Sequence, residues 1–174
     1  MGVKNIITIP NETLKKVSEP IEKIGKHEKN LIKDLFETMY QSNGIGLAAV
    51  QVGILKRVLV IDVSTKDEKK SPLSFINPII RNLSDETSVY EEGCLSIPDT
   101  FIEIERPKIC EVEYIDEDGK IKNLKCDGLL SICLQHEINH LDGKLIIDHL
   151  SKLKRDLIIK KISKNKKNPD RIIV

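Results

Sequence analysis

The chain reads DGLLSICLQHEINHLDG at residues 127–143, and this stretch decides how the rest of the sequence is interpreted. Its apolar residues recur at intervals of three and four, which is the spacing of a buried stripe on an α-helix. They are Leu130, Cys133, Leu134, Ile138 and Leu141. Gly143 follows the stripe and is suited to end a helix, because glycine readily adopts the left-handed conformation common there. The segment therefore predicts a buried helix from about Asp127 to Gly143.

The same helix contains the pattern H-E-x-x-H, formed by His136, Glu137 and His140. Residues four apart lie on one face of a helix, so the two imidazoles can bind one metal ion. Glu137 can then act as a general base toward a water molecule on that ion. The alternative is a surface helix with two chance histidines. We favour the metal because the chain has only 4 histidines in 174 residues.

A catalytic metal ion of this kind usually has three protein ligands, so a third must be found. The metzincin pattern asks for histidine where this chain has Ile146, which excludes that family. No glutamate follows Glu137, and the other downstream candidates have no typical ligand spacing. These candidates are Asp142, Asp148, Asp156, Asp170 and His149. Cys133 shares the helix, but together with His136 and His140 it would span about 10 Å of helix axis.

Cys94 is the third ligand that we favour. It lies in EEGCLSIP at residues 91–98, where Gly93 lets the backbone approach closely and the end of a strand presents the thiol. The alternative for a cytosolic cysteine is a small buried apolar side chain. That interpretation suits Cys110 and Cys126 better.

A glycine-rich stretch, GIGLAAVQ at residues 44–51, satisfies the dinucleotide-binding pattern G-x-G-x-x-A. Such a turn runs from a strand into a helix, whereas here a helix precedes and a strand follows, so we reject a nucleotide site. A loop of this kind can bring its backbone and the Gln51 amide beside a reacting centre. An ordinary turn is the alternative.

The remaining patterns predict short elements of both kinds. Apolar periodicity favours helices at Leu31–Tyr40, ended by Ser42-Asn43-Gly44, and at about Ser151–Ile162. Strands are predicted at Arg57–Val63, Phe75–Ile80 (broken by Pro78), Thr87–Ile97 and Phe101–Arg106, with a hairpin formed by Ile109–Ile115 and Lys120–Cys126. We expect one domain at residues 1–164 and a basic C-terminal tail at 165–174. The fold class is α+β, with short, mostly antiparallel sheets around a central metal-binding helix and with an N-terminal and a C-terminal helix.

The composition of the chain excludes several classes of protein. A chain with 40% hydrophobic and 32% charged residues can form a core, which excludes whole-chain disorder. The net charge of +1 gives no overall attraction for DNA or an anionic membrane. No apolar run is long enough to span a bilayer. We see no signal peptide, so we expect the 4 cysteines to be free thiols or metal ligands in a reducing cytosol.

Taken together, three motifs make the chain resemble the peptide deformylases, enzymes that remove the formyl group from the N-terminal methionine of new bacterial and organellar proteins. The motifs are GIGLAAVQ at 44–51, EGCLS at 92–96 and QHEINHL at 135–141. The similarity extends from ITIP at 7–10 through DGLL at 127–130 to DHLS at 148–151, which is almost the whole chain.

The resemblance implies a metal centre with Cys94, His136 and His140 as ligands. It implies Fe²⁺ as the native ion, with Zn²⁺, Ni²⁺ or Co²⁺ able to substitute. Glu137 is expected to take a proton from the metal-bound water and to return it to the leaving amine. The Gln51 amide and the backbone N–H of Leu95 are expected to stabilise the developing oxyanion.

The resemblance also implies the substrate, an N-formyl-methionyl nascent peptide. The peptide would lie extended along Ile45 and Gly46, and its methionine side chain would enter an apolar pocket. Core packing is the alternative role for these pocket residues, which are Ile45, Tyr90, Leu129, Ile132, Cys133 and His136. We further expect a bacterial cytoplasmic enzyme that contacts the ribosome transiently through its C-terminal helix, and no membrane or DNA partner.

Two positions depart from the family pattern. Most members have aspartate where this chain has Asn139, and some carry an arginine near the segment Asp99-Thr100-Phe101. We expect Asn139 to contact no metal ligand and activity to be retained. Two other functions remain open. A metallopeptidase is disfavoured by a cysteine ligand, and a binding protein with a structural metal and an RNA-docking tail is disfavoured by the presence of Glu137 and Gln51.

Overall fold

The computed structural model describes residues 2–65 and 68–167, with side chains as far as Lys164. Within these ranges the chain forms three α-helices and seven β-strands. The helices are α1 (Lys26–Gln41), α2 (Gly128–Leu141) and α3 (Lys152–Lys167). The strands are β1 (Gly46–Ala48), β2 (Val58–Ile61), β3 (Leu73–Leu83), β4 (Thr87–Cys94), β5 (Ile97–Pro107), β6 (Cys110–Ile115) and β7 (Ile121–Cys126). Single 3₁₀ turns occur at Glu12–Lys15, Ala49–Val52 and Ile146–His149.

The strands form two antiparallel sheets. The larger sheet has the order β1-β2-β3-β6-β7, and the smaller one pairs β4 with β5. Strand β2 lies inside the larger sheet, and its four residues alternate between the two faces because the side-chain period of a strand is two. Leu59 and Ile61 pack with α2, while Val58 and Val60 pack with α1. The larger sheet is therefore held between two helices.

Helix α2 is the centre of the molecule. Ten of its 14 residues are buried, and Leu134, Ile138 and Leu141 pack against Phe75 of β3 and the inner face of β2. A third cluster joins Ile102 and Ile104 of β5 to the turn at Ile146–His149 and to Ile162 of α3. This cluster holds the smaller sheet against the turn and the helix that follow α2.

The predicted α+β fold, with antiparallel sheets around a central helix, is confirmed. Four local predictions were wrong. Helix α1 begins at Lys26 rather than at Leu31, and the strand predicted at Thr87–Ile97 ends at Cys94, with Ile97 beginning β5. Strand β3 continues through Pro78 to Leu83, because Asn77 with φ of 50° and a register shift between Ile76 and Ile79 take the proline out of the hydrogen-bonded ladder. The predicted loop at 44–51 contains strand β1 and a 3₁₀ turn.

At the C-terminus, α3 begins one residue after the predicted helix start and its backbone is described as far as Lys167. The predicted basic tail at 165–174 falls mainly at 168–174, outside the described residues. Across residues 2–65 and 68–167, no helix combines the length and the apolar character needed to cross a membrane.

Candidate metal centre

Helix α2 carries the two histidines of the H-E-x-x-H pattern into the interior. His136 and His140 retain 8% and 1% of their exposed surface, and their ring centroids lie 5.0 Å apart. One turn of helix separates them, so both rings extend from the same face of α2. Burial lowers the pKa of His140 well below the usual value, which keeps this imidazole neutral and able to donate a lone pair to a metal.

Cys94 reaches the histidines from the end of β4. The pairing of β4 with β5 shifts register between Gly93 and Cys94, where the two strands turn tightly into each other. The Cys94 Sγ atom lies 3.2 Å from Nε2 of His140. The nearest ligand atoms of Cys94, His136 and His140 all lie within 4.8 Å of one another. The structure thus brings together the three residues predicted as ligands.

One sulfur and two nitrogen donors suit a borderline-soft divalent ion such as Zn²⁺ or Fe²⁺. The electrostatics of the site favour positive charge. Burial lowers the pKa of His136, but hydrogen bonds with Cys94 and Glu92 outweigh it and raise that pKa to about 10. The surroundings of His136 therefore stabilise positive charge on this imidazole. The residues present fit a metal ion.

A buried chain of polar contacts supports His136 from behind. Its Nδ1 atom lies 2.8 Å from Oε2 of Glu92. Arg106 donates from Nε and Nη2 to the two carboxylate oxygens of Glu92, at 2.5 and 3.0 Å, and from Nη1 to Oδ1 of Asn139 at 2.9 Å. Burial raises the pKa of Glu92, but the contacts with His136 and Arg106 outweigh it, so its pKa is lowered and it remains a carboxylate.

Sequence reasoning missed the roles of Glu92 and Arg106. The EGCLS motif assigns no function to Glu92, and the strand pattern marks Arg106 only as the end of a strand. The available signal was local: an arginine ending the alternating strand at Phe101–Arg106, on the same side as Ile102 and Ile104. Asn139 contacts Arg106 and none of the three ligands, in keeping with the expectation for that position.

Glu137 lies beside the ligands and is 4% exposed. Burial raises its pKa to about 7, so the side chain can both accept and release a proton near neutral pH. Its Oε2 atom is buried without a hydrogen-bond partner among the described residues. Such an acceptor is suited to a water molecule or a substrate group in the adjoining cavity.

Gly46 explains why the glycine-rich segment can approach Glu137. A Cβ atom on Gly46 would lie 2.5 Å from Oε1 of Glu137 and 2.7 Å from Sγ of Cys133. Only a residue without a side chain therefore fits between β1 and α2 at this point. A Cβ atom on Gly44 would likewise lie 2.7 Å from Cδ1 of Leu95, so both glycines permit close packing around the site.

The Gln51 side chain is oriented by the backbone of its own segment. Its Oε1 accepts a hydrogen bond from the N–H of Ala48 at 2.8 Å. The Nε2 group consequently faces the ligands and lies 3.2 Å from Oγ of Ser96 and 3.8 Å from Sγ of Cys94. A fixed N–H donor next to Cys94 can stabilise negative charge that develops on a substrate oxygen.

A cavity of about 470 Å³ opens beside these groups. All of the predicted pocket residues line it, namely Ile45, Gly46, Tyr90, Leu129, Ile132, Cys133 and His136. Gln51, Cys94, Leu95 and Glu137 line it as well. The segment Asp99-Thr100-Phe101, where some similar proteins have an arginine, forms another part of the wall. There the Phe101 ring, 68% exposed, packs over Gly93.

The chain is similar to known proteins over almost its whole length. The family model described as polypeptide deformylase matches residues 3–156. A peptide deformylase of Pelagibacter ubique is 56% identical over 174 residues, all of both chains. One of Rhizobium meliloti is 52% identical over 164 residues, 94% of each chain. The crystal structure of peptide deformylase from Ehrlichia chaffeensis superposes with a TM-score of 0.92 at 41% identity, over 97% of this chain and 99% of that one.

Proposed function

The chain belongs to the polypeptide deformylase family, and from this premise we propose that it removes the N-formyl group of nascent peptides by metal-dependent hydrolysis at Cys94, His136 and His140. The observation that carries the proposal is the grouping of these ligand atoms within 4.8 Å beside a buried Glu137. A structural metal site would need no unpaired carboxylate facing a cavity. The grouping therefore favours a hydrolytic centre.

When bound, a divalent ion would polarise the formyl carbonyl and lower the pKa of water. Glu137 removes a proton from the attacking water, whose oxygen forms a bond to the formyl carbon. The bond between that carbon and the amide nitrogen then breaks. Glu137 returns the proton to the nitrogen, so formate and a free α-amine leave. A pKa of about 7 suits a group that must perform both transfers at neutral pH.

Gln51 and Leu95 act on the carbonyl oxygen. The Nε2 donor of Gln51 is held by the bond from Ala48, and the backbone N–H of Leu95 follows directly after Cys94. Both would donate hydrogen bonds to the oxygen as negative charge builds on it, without needing to reorganise. Helix α2 thus supplies both the proton-transfer group and two metal ligands, while the carbonyl-stabilising donors come from the glycine-rich segment and from the residue after Cys94.

The substrate is an N-formyl-methionyl peptide. Its backbone would lie along Ile45 and along Gly46, the first residue of the edge strand β1, in the manner of strand addition. Its methionine side chain would fill the cavity lined by Tyr90, Leu129 and Ile132, an apolar lining that matches a thioether chain. We take Fe²⁺ as the native ion, with Zn²⁺, Ni²⁺ and Co²⁺ as substitutes.

The test is formate release from a formyl-Met tripeptide by anaerobically prepared protein loaded with Fe²⁺. We expect rapid release by the unmodified protein and a loss of at least a hundredfold in Glu137→Ala. An N-acetylated tripeptide serves as the substrate control. Release from both peptides would indicate a broader amidase, and release from neither by a folded, metal-loaded protein would favour a binding function.

The proposal includes a cellular setting. The reaction belongs in the bacterial cytoplasm, where formylated chains are made, and 4 free cysteines suit that reducing compartment. We propose that residues 1–164 form one catalytic domain and that 165–174 form a basic tail.

Helix α3 is proposed to contact the ribosome transiently. It presents exposed lysines together with Leu153 and Leu157, which are 72% and 59% exposed. The lysines are Lys152, Lys154, Lys160, Lys161 and Lys164. Reversing the charge of three of them should abolish co-sedimentation with ribosomes, whereas reversing Lys122 and Lys125 on β7 should not. Unchanged co-sedimentation of the α3 variant would exclude this contact.

A further inference from the structure

We propose that Asn139 and Arg106 are positioning residues that set the affinity of the metal centre by controlling how strongly Glu92 holds His136. This inference rests on the metal site proposed above and extends it to residues outside the ligand set. Asn139 follows Glu137 on α2 by two positions, yet its side chain points away from the ligands toward Arg106. Its influence must therefore pass through other groups.

The path consists of three contacts in series, of which those of Glu92 with Arg106 and with His136 are buried and that of Arg106 with Asn139 is partly buried. Asn139 accepts from Nη1 of Arg106, Arg106 binds both oxygens of Glu92, and Oε2 of Glu92 lies 2.8 Å from Nδ1 of His136. Arg106 and Glu92 are 6% and 5% exposed, so their interaction is little screened by solvent. Each contact is of hydrogen-bond length, so a change of charge at position 139 can alter the hydrogen bond between Glu92 and His136.

The charge balance of this path depends on the residue at position 139. Arg106 has two acceptor side chains, Glu92 and Asn139, and only Glu92 carries a charge. The neutral amide leaves the full cationic charge of Arg106 to Glu92. This partial neutralisation weakens Glu92 as an acceptor for the Nδ1–H of His136. Since acceptors behind a ligating histidine raise its basicity, Asn139 lowers the electron donation of His136 to the metal.

The structure therefore predicts how aspartate, asparagine and alanine at position 139 rank in metal affinity. A carboxylate would share Arg106, free Glu92 to polarise His136 and tighten metal binding. Alanine would remove the second acceptor, concentrate Arg106 on Glu92 and weaken metal binding. Changes to the partners of metal ligands typically alter affinity by about 10- to 100-fold. We expect Asn139→Asp to lower the dissociation constant for Zn²⁺ about tenfold and Asn139→Ala to raise it severalfold.

The experiment measures Zn²⁺ affinity by competition with a chelator, without reference to activity. Two spectroscopic readouts accompany it, the Nδ1–H proton resonance of His136 in the Zn²⁺ protein and the visible absorption of the Co²⁺ protein. In Asn139→Asp the proton resonance should move downfield as its hydrogen bond shortens. The matched control is Asp142→Asn, which removes a carboxylate bound to Arg57 at 2.7 Å at the end of the same helix, and which should leave all three readouts unchanged.

The order aspartate, asparagine, alanine in decreasing affinity supports the proposal. Equal affinities, or the reverse order, overturn it while leaving the metal site itself established. A wild-type protein that binds neither Zn²⁺ nor Co²⁺ overturns both. Glu92→Gln provides a further check, because substitutions at Asn139 should no longer change affinity in that background. If Glu92→Gln does not fold because Arg106 has lost its charged partner, the affinities measured with aspartate, asparagine and alanine at position 139 still test the proposal.

Discussion

Replacing Gly46 by alanine is the perturbation whose effect can be worked most fully from the structure. The added Cβ atom would lie 2.5 Å from Oε1 of Glu137, about 0.9 Å short of the 3.4 Å at which ordinary contact begins. It would also lie 2.7 Å from Sγ of Cys133. Both side chains are buried on α2, so the strand and the helix cannot separate without disturbing the core.

Two effects of different size follow for Gly46→Ala. Overpacking of a close contact costs about 1–3 kcal/mol of stability, which lowers the melting temperature of a domain of this size by about 2–4 °C for each kcal/mol. A displacement near 1 Å of a catalytic group reduces the rate by about 10²-fold. The variant should therefore fold and bind metal, yet lose most of its activity.

The assay compares kcat/KM for formate release, metal content and melting temperature in Gly46→Ala and Gly25→Ala. Gly25 is a matched control, because its added Cβ atom would meet only Oε2 of Glu28 at 3.4 Å. Its activity should stay within about threefold of the unmodified protein. Full activity in a folded Gly46→Ala protein would refute the reasoning that Gly46 gives Glu137 its place.

Three other predictions concern stability and chemistry. Phe75 is fully buried with its ring centroid 4.6 Å from that of Tyr114, so Phe75→Ala should lose about 3–5 kcal/mol in urea unfolding. Burial raises the pKa of Asp34, but contacts with Lys4 and the N–H of Gly2 outweigh it and hold that pKa below its ordinary value. Its contribution is thus present above the unfolded pKa and lost as pH falls through the folded value. Asp34→Asn should therefore be less stable than the parent near pH 7, and this difference should shrink as the pH falls through the folded pKa, with the exposed Asp85→Asn as control. Peroxide should inactivate the Fe²⁺ form faster than the Zn²⁺ form, with mass spectrometry finding oxidation at the half-buried Cys94 before the buried Cys110.

Much of the site could be predicted from sequence because its information is local. The convergence of His136 and His140 follows from helix geometry alone, and Cys94 is indicated by the preceding Gly93 and by its place at the end of a predicted strand. These patterns need no knowledge of tertiary structure. The burial of α2 likewise followed from its apolar stripe, and the structure agrees within one residue at its first position.

The features that the sequence did not predict depend on contacts between segments that are distant in the chain. The support of His136 by Glu92 and Arg106 arises only when β4, β5 and α2 pack together, and no periodicity in one segment encodes it. Strand β1 has three residues, too few for an alternating pattern to be recognised. Pro78 predicts a break because a proline cannot donate to a ladder, whereas the positive φ of Asn77 lets β3 continue past it.

The central claim is that hydrolysis depends on one metal ion held by Cys94, His136 and His140. The most direct test adds Fe²⁺ anaerobically, in increasing amounts, to metal-free protein and measures the rate of formate release at each step. The account predicts a linear rise that ends at one equivalent per chain, and almost no rise in a folded Cys94→Ala protein. Formate release by the metal-free protein, or a full response in Cys94→Ala, would contradict it.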